Sequence, residues 1–390
     1  MNVIIPKTAA ELDYGLALPH RKMEDWRWTD LRQLIDRPYP PRQKVEAATK
    51  DVERLVKSSP FAKIAGARVV FVNGHLAKQH SQLPRENVET RIGNDEPVLH
   101  MNRAFVTDGA HLKITGTADT PIELAFISTD ARPRTIATRN VIEVGDGASA
   151  TIIETHVGEG AYLANSVTEI RLGVNARLDR IKVERESGDA IHLAHTHVTL
   201  AKNSVLNDFT LTSGAKVNRQ NGTVEFAGTG CDAKVSGAFM LANRQHADTR
   251  LVIDHQQASC TSRELFKCVM DDHARGIFQG KVMVRRDAQK TDGKQSSHAL
   301  LLSETAEFDA KPELEIFADD VVCGHGATSG DLNHNHLFYL MSRGIPQAEA
   351  KSLLIAAFVG EAFDVIMHEG IREALIKFST KWLTERRGVA

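Results

Sequence analysis

Four segments decide the fold: VGDGASATIIE at 144–154, LGVNARLDRIK at 172–182, LAKNSVLNDFT at 200–210 and FAGTGCDAKVS at 226–236. Their starts are spaced by 28, 28 and 26 residues. Each has an apolar residue, a small turn residue, a polar pair and then renewed alternation. A period of 20 to 50 residues built from short strands is the mark of a β-solenoid or a propeller, and no propeller signature accompanies it. Small residues at recurring corners (Gly145, Gly173, Ala201) suit rungs that stack in parallel. The expected fold is mainly β: a right-handed parallel β-helix core, with a jelly-roll sandwich as the competing arrangement.

Outward from the repeat, the period changes on both sides. Residues 1–66 read as a helical segment broken by PYPP at 38–41, residues 67–330 as the β-helix core, and residues 331–390 as a C-terminal helical domain. In the last zone Asp331 is an expected N-cap, Gly344 a helix stop and Pro346 a second start. A solenoid has two ends with unpaired backbone, and these are capped or used as interfaces. The N-terminal helical zone is a candidate cap for one end. The other end falls near 319–328.

Composition sets limits. The chain has 390 residues, 42% apolar and 25% charged, with net charge −2. That balance gives no electrostatic reason to expect nucleic acid or an anionic membrane. Its 6% aromatic content suits strands filled by Val, Ile, Leu and Ala. Four cysteines, Cys231, Cys260, Cys268 and Cys323, form no CxxC pair and read as reduced thiols. The N-terminus lacks a signal or transit pattern, and the run Leu353–Val359 is too short to span a bilayer. A cytoplasmic location is expected.

Several motifs fail a chemical test. RGIFQGKV at 275–282 is one residue short of a phosphate loop and opens a strand instead of a helix. GATSG at 326–330 lacks the central serine of a nucleophile elbow. No catalytic constellation remains, and a β-helix carbohydrate-active enzyme would need carboxylate, Arg or Ca²⁺ groups that are not visible. His195 and His197, near His192, share a strand face at a spacing that can bind metal, but a solvated strand face is the simpler expectation. His334 and His336 diverge in a first helical turn and read as capping, solvated groups. Glu304, Glu307, Asp309, Glu313, Glu315, Asp319 and Asp320 form an acidic run opposed in sequence only by Lys311. Cys323 and His325 stand apart. They are spaced i,i+2 at a strand end before Gly326, so thiol and imidazole project the same way. This soft-to-borderline pair suits iron, zinc or a cluster edge but makes only half a site.

The chain resembles the SufB/SufD family of iron–sulfur cluster assembly proteins, and within it the SufD form. PHRKMEDWRWTDL (19–31) is similar to a family pattern, with Trp28 in place of the usual Tyr. The run from Phe278 to Thr328 matches the family core almost continuously, and FYLMSRGI (338–345) with an AAF-containing helix completes the likeness. CGHGAT is similar to the SufD version of its turn. His334 and His336 replace acidic residues, and Ser297-His298 replaces an Asn-Arg pair. The resemblance implies a non-catalytic scaffold that pairs through the β-helix end with a SufB-like paralogue. It also implies docking of a SufC-like ABC ATPase on the helices 331–368. Within them Asp331, Leu337, Phe338, Tyr339, Arg343, Gly344 and Phe358 are candidate contacts. His325 matches the interface histidine near the nascent cluster and Cys323 is its neighbouring thiol, so the resemblance implies transient iron or cluster contact and no stably bound cofactor. In isolation, a homodimer formed through the same interface is the alternative.

Overall fold

The computed structural model describes residues 17–41, 47–82, 96–129 and 132–387. Of the helical zone expected over residues 1–66, residues 1–16 and 42–46 lie outside these, and the described part carries short helices at Glu24–Trp26, Leu31–Leu34 and Thr49–Lys57. The core is a parallel β-solenoid of about 8 turns, each turn giving one strand to each of two sheets. The first sheet runs from Ala67–Val72 through Ile122–Ser128, Ser149–Gly158, Arg177–Arg185, Val205–Thr212, Asp232–Leu241, Thr261–Met270 and Asp292–Leu301 to Val322–Gly330. The second runs from Val106–Asp108 through Thr135–Val144 (which also pairs His111–Ile114), Leu163–Leu172, Ile191–Leu200, Val217–Phe226, His246–His255 and Arg275–Val284 to Glu307–Ile316. Pairing is parallel throughout, apart from the short strand His75–Leu76 at the N-terminal edge.

The repeat seen in the sequence is the rung. Val144 pairs with Leu172, Leu172 with Leu200 and Leu200 with Phe226. The corners follow suit, since Gly173 N–H donates to the Val144 carbonyl and Ala201 N–H to that of Leu172. Asn175 and Asn203 turn adjacent corners at φ 56° and 57°, a conformation asparagine tolerates. The Asn203 amide donates to Asn175 Oδ1 at 3.1 Å, tying the two corners together.

Both faces of most strands are buried, and the apolar pattern changes parity within them. Leu178 enters the solenoid interior, but farther along the same strand Ile181 and Val183 face outward under the C-terminal helices. The inward positions there belong to Arg180, Lys182 and Glu184, all buried. Arg180 bridges Glu154 at 2.7 Å and Asp208 at 3.0 Å, and Lys182 reaches Glu184 at 2.7 Å. One half of the lumen is therefore ionic and the other apolar.

The helices lie along the flanks. Leu18, Trp26, Leu31 and Tyr39 pack on Leu163, Ile191, Leu193 and Val217 of the second sheet. Residues 17–41 are thus a lateral strap, and helix Thr49–Lys57 packs through Val52 and Leu55 on the flank of the first sheet, so neither is the end cap expected. Thr29 donates to Asp248 at 2.5 Å, fixing the strap to a buried acidic group. Helix Pro97–Phe105, which interrupts the β zone, covers the same sheet, and its Asn102 amide donates to the carbonyls of Thr138 and Asn165. Helices Gln347–Gly360 and Glu369–Arg387, with the turn Glu361–Val365 between them, cover the first sheet through Ile355, Val359, Phe363, Ile371 and Leu375. No helix among the described residues is long and apolar enough to cross a membrane.

Three further expectations are corrected here. His192 and His195 are buried rather than solvated: His195 shares the face that the strap and helix Pro97–Phe105 roof, whereas His192 points into the lumen beside Lys182 and Glu184. The acidic run is opposed by more than Lys311. Arg275 holds Asp309 at 2.7 Å and Lys281 holds Glu315 at 2.7 Å, both from the strand one turn earlier. The first C-terminal helix is capped by Asn333, whose side chain accepts from the Asn335 and His336 N–H groups, and not by Asp331.

Candidate functional site at the open end

Val322–Gly330 forms the last strand of the first sheet, with Cys323 beside Gly293 and His325 beside Gln295. Those partners continue two inward-facing columns, Ser262–Gly293–Cys323 and Glu264–Gln295–His325. The expected common direction of thiol and imidazole is therefore found, and it is toward the mouth of the lumen. Cys323 is half-buried against the apolar interior, and burial pushes its thiol above the ordinary range. His325 is exposed. Among the described residues no third His, Cys, Asp or Glu joins this pair at metal-ligand spacing.

Around the pair the solenoid simply stops. The strands Glu307–Ile316 and Val322–Gly330 are terminal in their sheets, so each keeps one backbone edge without a partner strand among the described residues. Phe317 and Val322 are 61% and 64% exposed, and Ile316 is exposed beside them. An unpaired edge bordered by large apolar groups is what a strand-adding partner covers. Neither Gly324 nor Gly326 has anything within 4 Å of where a Cβ would stand.

Sequence reasoning missed what lies beneath His325. Gln295 is buried and its amide donates to the Gly280 carbonyl at 3.3 Å. Below it Glu264 is fully enclosed, neither carboxyl oxygen finds a hydrogen-bond partner, and burial pushes it up to about 8. The signal was the turn length, which places Glu264, Gln295 and His325 in one column.

A second surface lies on the helical domain. Phe338 and Tyr339 are 72% and 57% exposed on helix His334–Ser342, with Met341 beside them. The Arg343 guanidinium stands 5.6 Å from the Tyr339 ring centroid. Gly344 ends this helix at φ 86°, where an L side chain would be strained. Leu337 is buried, Phe358 packs inward under the Lys267 ammonium at 4.6 Å, and Asp331 accepts from the Leu332 N–H. Of the seven candidate contacts, Phe338, Tyr339 and Arg343 share an exposed face, while Leu337 and Phe358 hold the helices in place.

Residues 126–358 match the family described as SUF system FeS cluster assembly, SufBD core domain. An iron–sulfur cluster assembly SufBD family protein of Synechocystis is 32% identical, with 92% of this chain and 86% of that protein covered. The Escherichia coli iron–sulfur cluster assembly protein SufD is 29% identical over 92% of this chain and 88% of its own length. SufD of Bacillus subtilis is 27% identical over 77% and 70%. The match spans the rungs, the Cys323–His325 strand and the docked helices together, and the chain belongs to the SufBD family of the SUF system, with a role in iron–sulfur cluster assembly.

Proposed function

We propose that this chain is a non-catalytic scaffold subunit. It joins a SufB-like paralogue through the open end and a SufC-like ABC ATPase through the helical domain. The observation that carries the reading is the bare end of the solenoid, where two strand edges, Phe317 and Val322 surround Cys323 and His325. A paralogous solenoid set against this end adds strands to both sheets at once and brings its own ligands to the half-site. Iron or a nascent cluster is then the cargo held transiently between the chains, with the Cys323 thiol giving up its proton on binding. ATP-driven closure of two ATPase subunits pulls on the helical domains and shears the junction between two arrangements, exposing the site.

The test is co-purification with both partners. Removing the helices would strip Ile355, Val359 and Phe363 from the first sheet, so point substitutions are the sharper probe. Phe317→Asp with Val322→Asp is expected to lose the paralogue, whereas Phe338→Ala with Tyr339→Ala loses only the ATPase. His325→Ala is expected to assemble but to lower cluster yield on the reconstituted complex. Should the Asp substitutions leave the paralogue bound, the open-end reading falls. A wild-type chain that binds neither partner but dimerises through the same edge would establish the homodimer instead.

A further inference from the structure

Along the lumen, four to six strands from the open end, His156, Glu186 and His192 converge, with one ligand atom from each lying within 4.8 Å of the others. All three side chains are more than nine-tenths buried. His156 is braced by Phe126, stacked at 4.6 Å and 10°, and meets the His192 ring edge-on at 4.7 Å. His156 Nε2, Glu186 Oε2 and His192 Nδ1 have no hydrogen-bond partner. Glu186 Oε2 comes within 2.9 Å of His192 Nδ1, yet it sits off the axis along which the ring N–H would donate. Next to them is a cavity of about 30 Å³, lined also by Tyr162 and Ser128, whose hydroxyls are unsatisfied too. Buried polar groups are ordinarily paired, and a cluster of unpaired ones around one void marks a missing ligand.

Charge identifies the ligand. Around this point the lumen encloses four carboxylates, Glu154, Glu184, Glu186 and Asp208, against two permanent cations, Arg180 and Lys182. Arg180 is spent on Glu154 and Asp208 and Lys182 on Glu184. Among the described residues Glu186 has neither lysine nor arginine. With His192 neutral, as a metal ligand must be, four against two leaves an excess of two negative charges that one divalent cation cancels; without an ion, protonation of His192 between Glu184 and Glu186 offsets one of them. Two imidazoles and one carboxylate are the donor set of zinc and of non-haem ferrous sites, not of Mg²⁺ or Ca²⁺. Around an ion with bonds of about 2.0–2.2 Å, ligand atoms stand roughly 3–4 Å apart, so a small closure of the three groups suffices. His192 also has its second support in place, since its Nε2 lies 3.0 Å from Glu184 Oε1, which fixes the ring and raises its basicity as a ligand.

We infer that the lumen holds a structural divalent transition-metal site, formed by His156, Glu186 and His192 and separate from the Cys323–His325 half-site. The fourth position is a water in the adjoining cavity. Because the site is enclosed, the ion enters as the solenoid folds and leaves slowly.

The experiment refolds the full chain with Zn²⁺, with Fe²⁺ under anaerobic conditions, or with Mg²⁺, then desalts and measures metal content. About one equivalent of zinc or iron and none of magnesium is expected. Glu186→Gln and His156→Gln should fall below a fifth of an equivalent, while Cys323→Ser with His325→Ala keeps the full amount. For wild type, Tm should be several degrees higher after refolding with the metal than after refolding with a chelator, which tests the site even if a variant fails to fold. No retained metal in wild type would overturn the inference and leave an imidazolium–carboxylate cluster with bound water. So would metal lost only with Cys323 and His325, or an anomalous difference map with no peak between the three side chains.

Discussion

The Arg219 guanidinium lies under the Trp26 indole, 4.5 Å from its centroid, and is held from the other side by Asp248. Through this contact the N-terminal strap is keyed to the second sheet, and both side chains are essentially inaccessible to solvent. Trp26→Ala empties the key position, and a loss of about 3–5 kcal/mol is expected for a buried aromatic. Denaturant unfolding of the isolated chain measures it. A loss below about 1 kcal/mol would mean that the strap is not part of the cooperative unit.

The Arg180 bridge between Glu154 and Asp208 is the centre of the lumen ion network. Arg180→Met keeps the volume but leaves two carboxylates without their cation. A cost of roughly 3–5 kcal/mol is expected. The triple change Arg180→Met, Glu154→Gln, Asp208→Asn should recover most of it, and equal Tm values for the single and triple variants would contradict this account.

Glu264 makes stability depend on pH. Its carboxyl is raised by burial to about 8 in the folded chain, against 4.5 as the ordinary value. The fold therefore prefers the protonated form. The stability this gives is complete below about pH 4.5 and is lost as pH rises through about 8. Glu264→Gln removes the dependence, so the Tm of the variant relative to wild type should climb between pH 5 and 9. The change corresponds to a few kcal/mol. A constant difference across that range would show that Glu264 is ionised in the fold.

Two glycines separate the inside of the solenoid from its end. A Cβ at Gly228 would strike the Lys202 backbone, whereas one at Gly324 meets nothing. Gly228→Ala should cost roughly 1–3 kcal/mol. Gly324→Leu should stay within about 0.5 kcal/mol in the isolated chain yet block pairing with the paralogue, read by co-purification.

Much of this architecture was legible because a solenoid writes its contacts at a constant interval. Val144, Leu172, Leu200 and Phe226 were recognisable as equivalent before their pairing was known. The direction of Cys323 and His325 followed from strand alternation. The interior was not legible, because alternation says which residues share a face but not which face is inside. In the strand Arg177–Arg185 the apolar residues Ile181 and Val183 point to the helices, and the charged ones fill the lumen. The burial of His192 and the pairing of Glu315 with Lys281 depend on residues outside the local window. The seven candidate contacts on the helices separated into surface and packing groups only with coordinates, since the helix Gln347–Gly360 is apolar on more than one side.

In-register stacking also sets the increment by which this chain can change length. Asn175 and Asn203 occupy equivalent corners 28 positions apart, and the same offset links Arg180 to Asp208. Adding one residue inside a strand would exchange inward and outward groups beyond it, placing Ile181-like side chains among charges and carboxylates under the helices. Small insertions are tolerable only at the corners, whereas a complete coil can be added or excised without disturbing its neighbours' phase. Members of such a lineage are therefore expected to differ in reach by whole coils, with the terminus that carries Cys323 and His325 moved outward unchanged.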